Sequence, residues 1–228
     1  MKLRISATTI DEFNKIGTFW GWGDSAKENT LEDFVAKVKA PYVPTDAMDF
    51  GTAFGMCITE PENYVQPDGT YLMPLRDGRK FALSKEQAEI GIDAMKRYAG
   101  AIWEPKSILN WQSCGYNIDI VCKADGLCGT TIIENKTTAN FDYQGYCDSA
   151  QWRLYLLAFA GYESVEYEVF EFSKANIRKL NGLYRFSMRP YEGLGYEMRC
   201  LVDSLADVIK TYELEAYFDP DYSKRPNK

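Results

Sequence analysis

The stretch VCKADGLCGTTIIENKTT, Val121 to Thr138, decides how the rest of the chain is read. It holds two runs of β-branched and apolar residues with approximate alternation, the pattern of strands, separated by a glycine-bearing connection over Gly126 to Gly129. Asp125 leaves the first strand, and Glu134 and Lys136 stand on the second. Side chains alternate across a strand, so Glu134 and Lys136 share one face while Asn135 turns away. The short connection lays the end of the first strand beside the second, which lets Asp125 converge with Glu134.

Moving outward, ILNWQ at 108–112 supplies a preceding strand, so three strands follow one another. Downstream, residues 142–160 read as a helix stopped by Gly161, and SVEYEVFEFS at 164–173 alternates again as a strand. Strand, strand, strand, helix, strand is an α/β order, and it predicts a mixed central β-sheet flanked by helices. The last helix, over 195–218, places Met198, Leu201, Leu205, Ile209 and Tyr212 on one stripe, and the tail from Asp221 reads as frayed. The first 60 residues read as a helical and loop-rich approach. Ser6 to Thr9 offers caps for IDEFNKI, a glycine-punctuated loop covers 17–25, and Asn29-Thr30 caps LEDFVAKVK. A hairpin is expected around Asp77-Gly78, and a helix after Ser84 carries Ala88, Ile92, Met95 and Tyr98 at helical spacing. We read residues 1–228 as a single domain with its core at about 49–175, preceded by the helical approach and followed by the C-terminal helix.

Composition narrows the chemistry. The chain has no histidine, which removes histidine triads, all-histidine zinc sites and a histidine general base together. Carboxylates, lysine, tyrosine and backbone groups must do the work. The six cysteines form no CxxC pair and read as scattered reduced thiols. A net charge of −7 argues against a protein that coats DNA through a broad basic surface, although a cluster of metal-holding carboxylates is acidic by construction. No apolar run approaches the ~20 residues needed to span a bilayer and the start lacks a secretory apolar segment, so a cytoplasmic protein without membrane association is expected.

Two carboxylates with a backbone carbonyl suit a hard cation, Mg²⁺ or Mn²⁺. A lysine beside that cation can orient an attacking water and help deprotonate it, which outlines a phosphodiester hydrolysis site. Glu-x-Lys alone is more often a solvated strand face with a lateral ion pair. Gln151 and Tyr155 strengthen the functional reading, because they stand at i and i+4 on one face of the helix that follows the Glu-x-Lys strand.

These residues carry a family resemblance. Asp125 in ADG, Glu134 and Lys136 in IIENKTT, and Gln151-x-x-x-Tyr155 together resemble the RecB-like branch of PD-(D/E)XK nucleases. Gly51-Thr52-Ala53-Phe54 through Glu60-Pro61-Glu62 is similar to a stretch of RecE-type phage exonucleases, and ADGLC to the lambda-type exonuclease. The pieces span roughly residues 49 to 172, in the family's order. The resemblance implies that Asp125 and Glu134 bind metal, that the backbone carbonyl of Asn135 completes the shell, that Lys136 serves the nucleophilic water, and that Gln151 and Tyr155 support the site. It also implies a metal-dependent DNA exonuclease acting on the ends of linear duplex DNA in phage-type recombination. A single-strand annealing partner and a ring-shaped homo-oligomer in the cytoplasm of a bacterial host belong to the same expectation.

One position departs from the family. Four residues after the match to Gly51, relatives place a histidine or glutamate, and this chain has Gly55. Glu60 or Cys57 substitutes, or water fills the place, or one metal is held poorly. Glu60 is the chemically suitable substitute, because a thiol is a soft ligand mismatched to Mg²⁺. The departure motivates a second expectation, a catalytically impaired nuclease fold that binds DNA ends or a protein partner.

Overall fold

A computed structural model describes residues 1–20, 27–173 and 179–226. The chain runs β1 (Lys2–Ser6), α1 (Ala7–Asn14), β2 (Phe19–Trp20), β3 (Lys27–Glu28), α2 (Leu31–Lys39), α3 (Asp46–Thr59), β4 (Tyr71–Pro74), β5 (Lys80–Leu83), α4 (Lys85–Met95), β6 (Ile102–Trp103), β7 (Lys106–Ser113), β8 (Tyr116–Lys123), β9 (Gly126–Cys128), β10 (Thr131–Thr138), α5 (Tyr143–Asp148), α6 (Ala150–Ala158), β11 (Ser164–Phe172), β12 (Leu180–Met188) and α7 (Leu194–Thr211). Residues 21–25 of the expected glycine-punctuated loop and residues 227–228 of the tail lie outside the described residues.

The architecture is mixed α/β. A five-stranded sheet has the order β12-β11-β10-β9-β6 and a three-stranded sheet the order β1-β8-β7. β10 pairs parallel with β11 and β1 parallel with β8, while the other pairs are antiparallel. One ribbon passes from sheet to sheet. At the crossing the Glu104 N–H donates to the Asp125 carbonyl at 2.9 Å, and the Ala124 N–H to the Pro105 carbonyl at 3.1 Å. Asp125 therefore sits where the ribbon passes between the sheets, between the end of β8 and the start of β9.

The β7–β8 hairpin turns on Cys114 and Gly115, both at positive φ (50° and 85°), the conformation a tight two-residue hairpin loop requires. Alternation along β10 sorts its apolar residues between two cores. Ile132, with Val165, Tyr167 and Val169, faces α6 and α7, whereas Ile133, with Phe170 and Phe172, faces α3 and α4. α7 buries Met198, Leu205 and Ile209 as its spacing predicts, together with Val202 and Ala206, and leaves Leu201 and Tyr212 at the margin. Ser6, Thr30 and Ser84 cap their helices as expected.

Several segments differ from the sequence reading. The start is not only an approach of helices and loops, because KLRIS forms β1 and its Leu3 and Ile5 are buried. Residues 46–59, where Gly51 and Gly55 blur the period, form α3 capped by Thr45. Gly126–Cys128, read as connection, is strand β9, and the helix over 142–160 is two helices broken at Ser149, whose ψ of 130° is extended. β12 is an additional strand.

α3 and α4 approach closely at Gly91. A Cβ there would lie 2.6 Å from Phe54 Cζ and also collide with Ile58. Gly91→Ala is expected to destabilise the protein by about 1–3 kcal/mol, as overpacking of a filled core does. Urea unfolding reads this directly, and an unchanged midpoint would show that the two helices can part. Among the described residues, no helix is long and apolar enough to cross a membrane.

Candidate active site

Strand pairing brings the two carboxylates together. Ile133 pairs with Gly126, so the next residues along, Glu134 and Asp125, meet where the ribbon passes between the sheets. Asp125 Oδ2 accepts the Asn135 N–H at 2.6 Å, which fixes its carboxylate against β10. Lys136 shares the face of Glu134 and donates from Nζ to Glu134 Oε1 at 2.5 Å and to Gln151 Oε1 at 3.1 Å. Gln151 Nε2 donates to the Tyr155 hydroxyl at 2.8 Å, and that hydroxyl donates to the Lys123 carbonyl at 2.6 Å. Five residues singled out in the sequence thus form one connected constellation: Asp125, Glu134, Lys136, Gln151 and Tyr155. Asn135 points to the opposite face, where its side-chain amide is buried without a partner.

The electrostatics follow from burial. Glu134 is 2% exposed, and burial, then the charge of Asp125, push its carboxyl up to about 8 against the pull of Lys136. Burial also raises Asp125, against the Lys136 charge and the Asn135 N–H. Burial alone would lower the Lys136 ammonium, but Glu134 and Asp125 more than offset it and hold it above the ordinary lysine value. Lys136 is therefore a cation that donates hydrogen bonds, and its side chain is 31% exposed, open to the adjoining cleft. Burial holds the Tyr155 phenol far above its usual range, so it remains a neutral bridge.

Glu134 Oε2 is buried and has no hydrogen-bond partner. An orphaned carboxylate oxygen beside a second, half-buried carboxylate is a donor set a hard divalent cation takes, so the residues fit Mg²⁺ or Mn²⁺. Among the described residues no group of three histidine, cysteine, aspartate or glutamate side chains is arranged to hold a metal. Glu60 is exposed at the end of α3 and accepts the Asn63 amide at 2.9 Å. Cys57 is fully buried in the apolar core under α3, where burial pushes its thiol up to about 12. At Gly55 an added Cβ would meet only open space.

A cleft of about 370 Å³ opens beside Lys136 and Gln151, lined also by Asp11, Lys15, Tyr146 and Tyr167. The last four escaped sequence reasoning. Asp11 on α1 accepts the Ser149 hydroxyl and the Ala150 N–H, each at 2.7 Å, and so caps α6, which carries Gln151 and Tyr155. No local pattern ties residue 11 to residue 149. Tyr167 could have been found, because β11 alternates and Tyr167 pairs with Glu134 across the parallel ladder.

Tyr155→Phe removes the hydroxyl that joins Gln151 to the Lys123 carbonyl. The variant is expected to lose about 1–3 kcal/mol of stability, since it leaves two polar groups unsatisfied near the core. Denaturant melts compare the two proteins, and equal stabilities would mean that the bridge carries no net energy.

No protein-family model matches the chain, and no curated protein matches it. Among solved structures it is similar to an exonuclease candidate from Eubacterium rectale, with 13% identity and a TM-score of 0.51 over 93% of this chain and 82% of that one. LHK-Exo in complex with dAMP aligns at 13% identity over 92% of this chain and 89% of that one, with a TM-score of 0.42. SSO0001 aligns at 15% identity over 55% of this chain, with a TM-score of 0.40, and the alignment spans 58% of that protein's length. The Eubacterium rectale likeness, at this identity, establishes the fold alone: a mixed α/β architecture of sheets flanked by helices.

Proposed function

We propose that the chain is a metal-dependent DNA nuclease of the PD-(D/E)XK class, an exonuclease that hydrolyses phosphodiester bonds at the ends of linear duplex DNA. The observation that carries this reading is the half-buried Asp125 beside the buried Glu134, whose carboxylate, with one oxygen unpartnered, is tied through Lys136 to Gln151 on the cleft wall. Asp125, Glu134 and the backbone carbonyl of Asn135 would hold Mg²⁺ or Mn²⁺. Such a cation, when bound, offsets charge on the phosphate and acidifies water. Lys136, held as a cation, would donate to the attacking water or to a phosphate oxygen and stabilise the negative charge that develops there. Gln151 fixes the direction of the ammonium, and Tyr155 fixes Gln151 through the Lys123 carbonyl. Service in phage-type recombination, with a single-strand annealing protein and a ring-shaped homo-oligomer, belongs to the same proposal.

The test is degradation of end-labelled linear duplex DNA in Mg²⁺, in Mn²⁺ and in chelator. Metal-dependent loss of label supports the nuclease. Folded protein that cleaves in none of these favours the second reading, an impaired nuclease fold that binds DNA ends or a protein partner. One observation favours that alternative: no third carboxylate, histidine or thiol among the described residues completes a metal-holding group with Asp125 and Glu134.

A further inference from the structure

The α1 helix reaches the candidate site through one buried carboxylate. Asp11 lies in the interior of α1, is 9% exposed, and divides its two oxygens between different partners. Oδ1 accepts the Ser149 hydroxyl and the Ala150 N–H, and Oδ2 takes the Lys15 ammonium at 3.1 Å. Aspartate is a poor residue for a helix interior and a costly one to bury, so the stability of α1 itself does not account for it. A second contact accompanies it: the Asn14 amide, near the end of α1, donates to the Asp148 carbonyl at 2.8 Å. Both residues grip the junction of α5 and α6.

That junction sets where Gln151 stands. Ser149 ends α5 and caps α6, and its Oγ accepts the Gln151 N–H at 3.2 Å while its own O–H donates to Asp11. Gln151 is the second residue of α6, which has nine. In the first turn of so short a helix the backbone donors have no partners within the helix, and the turn holds only if something outside it supplies acceptors. Asp11 takes the Ala150 donor and orients the hydroxyl that takes the Gln151 donor. Beyond Gln151 the hydrogen bonds continue to the Lys136 ammonium and from there to Glu134.

We propose, on the nuclease reading above, that Asp11 is a positioning residue of the candidate active site: through Ser149 it fixes the first turn of α6, and with it the Gln151 amide that aims the Lys136 ammonium. When Asp11 is removed, α6 stays anchored one turn further on by Tyr155, whose hydroxyl holds the Lys123 carbonyl. The helix persists and its first turn loosens. A shift of about 1 Å at Gln151 breaks its contact with Lys136, and a displacement of that order costs about 10²-fold in rate.

The test compares Asp11→Ala and Asp11→Asn with Ser84→Ala, which removes the cap of α4, a helix packed on α3 rather than on α6. All are assayed where each is folded. Asp11→Ala is expected to lower kcat for metal-dependent release of label about 10- to 100-fold with KM nearly unchanged, because Gln151 directs the ammonium rather than holding the DNA. Asp11→Asn, whose amide oxygen still accepts both donors, should recover most of that rate. Ser84→Ala should lower the unfolding midpoint and leave kcat alone. Ser149→Ala, which deletes the hydroxyl between Asp11 and Gln151, should show the same loss as Asp11→Ala and is the variant to read if Asp11→Ala does not fold. A second readout needs no cleavage: the Gln151 side-chain amide signals in the proton–nitrogen NMR spectrum of metal-free protein should move in Asp11→Ala and stay in place in Ser84→Ala. Gln151 signals unmoved in Asp11→Ala and Ser149→Ala, or equal loss of rate in Asp11→Ala and Ser84→Ala, overturn the positioning role. Natural protein that cleaves under no metal overturns the nuclease reading, and the Gln151 signals then decide the positioning alone, movement in Asp11→Ala without movement in Ser84→Ala supporting it.

Discussion

Lys136→Ala is expected to abolish metal-dependent cleavage of end-labelled duplex DNA, by about 10²–10⁴-fold or more, in a protein that still folds. The Lys136 ammonium hydrogen-bonds both Glu134 and Gln151, and the cleft opens beside it. Alanine removes that cation at the edge of the core, because the lysine side chain is 31% exposed and borders the cleft. Circular dichroism and thermal melts establish the fold, and label release measures the loss. Lys136→Arg, which keeps the charge and changes its geometry, should recover little, since a planar fork does not reproduce the contacts of an ammonium. Undiminished cleavage by Lys136→Ala would move the chemistry to another part of the chain.

Glu134→Gln should separate stability from activity. The Glu134 carboxyl titrates at about 8 in the folded protein, against 4.5 ordinarily. Between those values the folded protein keeps a proton that the unfolded chain has lost, so stability falls as pH rises through the window and levels off above it. Asp125, also raised, contributes with the same sign. Lys136, raised above 10.5, contributes in a more alkaline range. In chelator, the stability difference between Glu134→Gln and the natural protein should grow in favour of the variant from pH 5 to pH 8, by at most about 1.4 kcal/mol per pH unit. Parallel pH profiles would show that Glu134 ionises as an ordinary carboxylate. The same substitution should eliminate cleavage, because the amide cannot supply the anionic oxygen that the fit to a divalent cation requires. A site that lowers stability when its metal is absent is a common cost of holding charge in an apolar setting.

Much of the sheet and the centre of the site were legible because their signals are local. β7, β8 and β10 run for eight residues each, rich in β-branched and aromatic side chains with approximate alternation, and Glu134 and Lys136 differ by two, so strand period put them on one face. Gln151 and Tyr155 differ by four on α6, and they hydrogen-bond as that spacing allows. What escaped was non-local or short. β1 has five residues and a parallel partner far along the chain, and periodicity carries no information about pairing at that distance. β9 has three residues, and Gly126 inside it with Gly129 just after it read as a turn. α3 was obscured by Gly51 and Gly55, residues that lower helix propensity, and tertiary packing of Phe50, Phe54 and Ile58 on β11 and α4 overrides that cost. Asp11 became visible only once β1 had placed α1 beside α6.

The parallel pairing of β1 with β8 also sets an order of assembly. Lys2 pairs with Asn117, 115 positions away, whereas β7, β8, β9 and β10 are successive neighbours in sequence. Contacts close in sequence form with little loss of chain entropy, and distant ones wait. The meander that brings Asp125 to Glu134 can therefore condense early, while α1, which follows β1 directly, docks late with its capping Asp11. A partly assembled chain would hold its two carboxylates together before α6 is locked and before the cleft has its second wall. The capacity to attract a cation is thus kinetically separated from the capacity to use one, and the N-terminal strand is the step that joins them.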